Sequence, residues 1–147
     1  MKYFALATLL LATLAVVGCG SNSSNKPANI NGNWSATLTD TSNTTAFTLG
    51  TSLVVNDDGS LSVTNLTITS ASPCFTAGQT ATGSFTLSGN FNGNVNGTFG
   101  MIVKSGTPSG NTLTLSGTAN GNTISGTWTL AGGFGCTGNG TFTMTKM

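Results

Sequence analysis

The chain has 147 residues, a formal net charge of +1 and only 5% charged residues, against roughly 25% in an ordinary globular protein. Glycine occurs 21 times, and histidine, arginine and glutamate do not occur. This composition excludes the basic footprint of a nucleic-acid binder. It also leaves too few titratable groups for ordinary acid–base catalysis or a histidine-based metal site.

The first element in chain order is an N-terminal export segment. Lys2 and the initiator amine are positive, and Tyr3 to Val17 form an apolar run broken only by Thr8 and Thr13. The run is about 15 residues, short of the roughly 17–25 that span a bilayer. It closes on Val16-Val17-Gly18-Cys19, which resembles a bacterial lipobox. The resemblance implies cleavage of residues 1–18 and a lipid on Cys19, with palmitate among its acyl chains. Two or three acyl chains anchor a protein stably where one does not. Gly20 replaces the aspartate that, in enteric-type sorting, retains a lipoprotein at the inner membrane, so the expected place is the periplasmic space at the outer membrane. Residues 19–29 read as the lipidated cysteine and a flexible tether, because Ser21 to Asn25 are small and polar and Pro27 blocks regular pairing. Residues 30–147 are expected to form one domain.

Within that domain, alternation with a period of two dominates. Trp34, Ala36 and Leu38 alternate with Ser35, Thr37 and Thr39; Phe47, Leu49, Leu53 and Val55 share one parity, with Thr51 among them. Asn56-Asp57-Asp58-Gly59 makes a turn. Leu61 and Val63 continue on one parity, but Leu66 and Ile68 take the other, which predicts a β-bulge near Asn65. The second half holds a duplicated hairpin. Leu87-Ser88-Gly89 corresponds to Leu115-Ser116-Gly117, and Gly97-Thr98-Phe99 to Gly126-Thr127-Trp128. The turns correspond too, Asn92-Gly93-Asn94 to Asn120-Gly121-Asn122. Glycine two residues before an aromatic recurs at Gly32/Trp34, Gly83/Phe85, Gly97/Phe99, Gly126/Trp128 and Gly140/Phe142. Residues i and i+2 share a strand face, so each glycine leaves a gap that an aromatic on a neighbouring strand can fill.

The predicted strands are 33–41, 45–56, 60–70, 79–90, 94–104, 111–119, 123–131 and 138–146. Short turns between them predict an all-β fold, an eight-stranded antiparallel up-and-down barrel, with a β-sandwich as the alternative. Thr and Ser on the outer face argue against a barrel that faces lipid.

Gly32-Asn33-Trp34 on the first strand, followed by a β-meander, is similar to the start of lipocalin-like (calycin) barrels. The chain as a whole resembles small Gly/Thr/Asn-rich lipoproteins of acidobacterial type. In lipocalins the first-strand tryptophan packs against a basic side chain, usually arginine; here only Lys146 can take that place. The resemblance implies an interior that holds a small apolar ligand.

With Cys19 used for lipid, Cys74 and Cys136 remain, and an oxidising compartment favours a bridge between them over two separate buried thiols. Their loops fall at the same end of an alternating meander, so the Cα atoms can come within about 7 Å. Phe75 and Thr137, which follow the cysteines, read as loop or rim residues. Asp57 and Asp58 read as turn residues, without the further oxygens of a calcium loop. The abundant serines and threonines have no partner base. Neither catalytic residues nor a cofactor is expected. Two functions follow. One is a structural or interaction module of the envelope, contacting a protein or a glycan. The other is a carrier whose interior, lined by Val95, Phe99, Met101, Leu113, Leu115, Ile124, Trp128 and Leu130, holds a small apolar ligand.

Overall fold

The computed structural model describes residues 30–70, 72–75, 78–88, 96–106 and 110–147. The signal segment, Cys19, the tether, Val95 and the Asn92-Gly93-Asn94 turn lie outside the described residues. Eight strands are present: β1 Gly32–Asp40, β2 Thr45–Val55, β3 Ser60–Ile68, β4 Thr80–Leu87, β5 Asn96–Lys104, β6 Thr112–Asn120, β7 Thr123–Ala131 and β8 Gly138–Lys146. Each pairs antiparallel with the next, and β8 pairs with β1, closing an up-and-down barrel rather than a sandwich.

Alternation becomes inside and outside. On β5, Phe99, Met101 and Val103 are buried while Thr98, Ile102 and Lys104 are exposed. The inward residues stack in layers that cross the strands in register. One layer runs Phe99, Gly117, Gly126, Phe142, Leu38; the next runs Met101, Leu115, Trp128, Gly140. Large rings therefore stand opposite glycines, as the recurring motif requires. At Gly97 a Cβ would collide with the Phe85 ring and lie 2.6 Å from the Thr86 carbonyl oxygen. At Gly138 it would meet the Trp128 ring at 3.1 Å. Burying such aromatic surface is the main stabilising term, on the order of 25 cal/mol per Å².

Two bulges shape the wall. Between β2 and β3 the register moves from Gly50–Thr67 to Ser52–Thr64, so β3 carries one extra residue, and Asn65 takes a left-handed φ of 53°. This is the bulge that the parity switch predicts. A second shift, Leu38–Phe47 to Thr39–Thr45, leaves Ala46 extra on β2. The β3–β4 ladder consists of Ser60–Ser84 and Leu61–Gly83, extended by a bond from the Phe85 amide to the Gly59 carbonyl at 2.8 Å.

The barrel has two unlike ends. The β2–β3, β4–β5 and β6–β7 connections share one end with both termini of the domain. There Ile30 is fully buried, and the Trp34 indole donates to its carbonyl at 2.6 Å. Lys146 stands opposite Trp34 in the β1–β8 register. At the same end the Asn56-to-Gly59 turn closes with the Gly59 amide donating to the Asn56 carbonyl at 3.0 Å. The Asp58 carboxylate accepts from the Ser60 amide at 2.9 Å and from its hydroxyl. These bonds, the hydroxyl's first, hold Asp58 below the ordinary carboxylate range.

Candidate functional site

The β1–β2, β3–β4, β5–β6 and β7–β8 connections share the opposite end, and three of them are latched together. Cys74 and Cys136 form the expected disulfide, with Cα atoms 5.5 Å apart across a sequence separation of 62. Asn111, at the end of the β5–β6 connection, donates its side-chain amide to the Cys74 carbonyl at 2.8 Å. Its backbone amide donates to the Ser105 hydroxyl at 2.9 Å, which closes its own loop. The Asn111 Oδ1 is buried with no hydrogen-bond partner among the described residues and lies against Gly132, where any Cβ would collide with it. Only glycine at 132 lets the β7–β8 loop pass that close.

The sequence places Phe75 on the rim, but the structure buries it. Its ring meets Phe47 edge-on at 5.8 Å, and Phe47 in turn meets Trp128 edge-on at 5.7 Å. Both cysteines are buried as well. The contact of Phe75 with Phe47 draws the β3–β4 connection onto β2 at this end.

Beneath the latch lies an open cleft of about 290 Å³. Phe47, Trp128 and Leu130 supply apolar surface; Asp40, Thr41 and Asn139 supply polar groups. The bulged Ala46 is also part of the wall. Asp40 is set rigidly, since its Oδ1 accepts the amides of Ser42 at 2.8 Å and Thr44 at 2.9 Å. Trp128 is fixed by its indole, which donates to the Thr39 carbonyl at 2.9 Å. Phe134 sits on the Gly-rich loop beside Gly135, a lining residue, with φ of 53° and its ring fully exposed.

Of the residues expected to line a carrier's interior, Trp128 and Leu130 reach this cleft. Phe99, Leu113 and Ile124 are 0% exposed, and Met101 and Leu115 are 1%. A void large enough for a guest would leave accessible surface on the side chains around it, so these five belong to a filled core. No group of three or more metal-ligating side chains occurs among the described residues.

The arrangement can hold a small molecule by hydrogen bonds and aromatic contact. The disulfide is legible in the sequence, whereas the meeting of Asp40, Phe47, Asn111, Phe134 and Asn139 at one end is not. The repeated glycines around Phe134 were the one local signal available. No family model, curated protein or solved structure matches the chain.

Proposed function

We propose that the protein is a lipid-anchored envelope module, held by a lipid on Cys19, that makes contacts through its latched loop end and performs no catalysis. The observation that carries this reading is the placement of Ile30, buried at the barrel end opposite the Cys74–Cys136 latch. A tether running from Cys19 to Asn29 joins the domain at that end. The loop end with its cleft and exposed Phe134 is then the end of the barrel opposite the tether's attachment. A filled core supports a solid module more than a carrier of an internal apolar guest. The outward Thr and Ser side chains favour an aqueous setting, which fits the periplasmic side of the outer membrane.

Cys19→Ser tests the anchor. Palmitate labelling is expected in the parent chain and not in the variant, and the variant should leave the detergent phase. Labelling that persists in the variant would remove the anchor from this account. Crosslinking from the loop end in the native envelope tests the contact role, with a glycan or protein adduct expected there in preference to the Asn56-to-Gly59 turn.

A further inference from the structure

We propose that the cleft at the loop end, with Phe134 next in the chain to its lining residue Gly135, is a binding site for a single neutral pyranose unit, free or at the end of a glycan. This deepens the reading of that end as the contact end. Size gives the first argument. About 290 Å³ lies just under the range for drug-sized ligand sites, which also favour the mouths of β-barrels. It suits one ring and its substituents rather than an extended lipid.

The walls give the second argument. Phe47 and Trp128, 7% and 2% exposed, bring only a little apolar surface to the cleft, and Asp40, Thr41 and Asn139 line it with hydrogen-bonding groups. A pyranose is two-sided in the same sense, with a face of C–H groups and an edge of hydroxyls. Among the described residues the cleft's ionisable lining group is Asp40 and no lysine lines it, so they give an anionic ligand no counter-charge. A carboxylate takes hydroxyl hydrogens through charge-assisted bonds, stronger than neutral ones. Asp40 is already oriented by the Ser42 and Thr44 amides on Oδ1, so binding need not freeze it.

Phe134 supplies the third argument, independent of the cavity. A bulky residue with φ near 53° is a conformational outlier. The ring is fully in water and so contributes no burial to the fold. Glycine would fit the backbone more easily, as its neighbour Gly135, at φ 81°, does. Strain retained for a side chain that does nothing for stability points to a role outside the fold. An exposed phenyl on a loop that lines the cleft offers a flat apolar face for the C–H side of a sugar.

The test uses the full mature chain in detergent, titrated with methyl β-glucoside, N-acetylglucosamine and chitotetraose while amide shifts are followed by NMR. Saturable shifts are expected at Asp40, Asn139 and Phe134. Monosaccharide binding that equals chitotetraose binding marks a free-sugar site, and tighter chitotetraose binding marks a glycan end; either supports the proposal. Phe134→Ala should weaken binding roughly 3- to 10-fold with an unchanged melting temperature. Asp40→Asn, which keeps an oxygen for the two loop amides, should weaken it by a similar or larger factor. Absence of saturable shifts with all three sugars overturns the proposal. So does binding that both variants retain in full, or displacement of the sugar by choline, which would mark a cation site. Sugar binding with no lipid on Cys19 would leave this site standing and remove the anchor alone.

Discussion

Asn111 reaches back 37 positions to hold the carbonyl of Cys74, the residue that the disulfide also holds. One side chain thus ties the β5–β6 connection to the β3–β4 connection where the latter is bridged to the β7–β8 loop. Asn111→Ala should cost about 1–3 kcal/mol, because the buried Cys74 carbonyl loses its donor. Asn111→Asp should cost more, since it replaces the donor with a buried charge facing a carbonyl. Urea denaturation of the two variants checks the order. If Asp were tolerated as well as Ala, this contact would not hold the loop.

The bridge itself should contribute roughly 4 kcal/mol in the chain-entropy account, given the 62-residue separation. The paired variant Cys74→Ala with Cys136→Ala should melt lower by an amount consistent with that figure. The oxidised parent should show no labelled thiol at either position after denaturation without reductant.

Glycines in the wall should separate into two groups. Gly97→Ala drives a methyl into the Phe85 ring and the Thr86 carbonyl, and about 1–3 kcal/mol of destabilisation is expected. Gly133→Ala meets nothing within 4 Å among the described residues and should lie within about 0.5 kcal/mol of the parent. Thermal melts of the two decide whether the layered ring-and-glycine packing holds the barrel.

The strand plan was legible because an interior and an exterior impose a period of two on nearly every segment. The parity change between Val63 and Leu66 located the bulge at Asn65, since a bulge is what reverses a strand's faces. The bulge at Ala46 left no such mark. It lies at the mouth end of β2, where Thr45 meets the turn and no alternating run precedes it. Asp40 falls near the end of the predicted 33–41 strand, and its role depends on the Ser42 and Thr44 amides folding back to it. Asn111 read as the first residue of a strand; its contact with Cys74 comes from barrel closure, which no local pattern records. Phe75 read as rim because a loop residue's burial depends on contacts across the fold, here with Phe47.

Acid should act on Asp58 in a defined direction. Its carboxyl is held below the reference value of 3.8, chiefly by the Ser60 hydroxyl. The unfolded chain therefore binds the proton first as pH falls. The stabilisation is complete above the unfolded value and is lost as pH drops through the lower folded value. Asp58→Asn should thus melt below the parent near neutrality, and the gap should close toward pH 2. Melting curves at several pH values check this, and a gap that widens in acid would contradict it.

The anchored, solid module is tested most directly by mass spectrometry of the mature protein extracted from its native membrane. The account predicts a polypeptide beginning at Cys19 that carries acyl chains on that residue, and a native spectrum without an apolar guest in the barrel. An N-terminus elsewhere with no lipid, or a stoichiometric apolar molecule retained in the folded barrel, would contradict it.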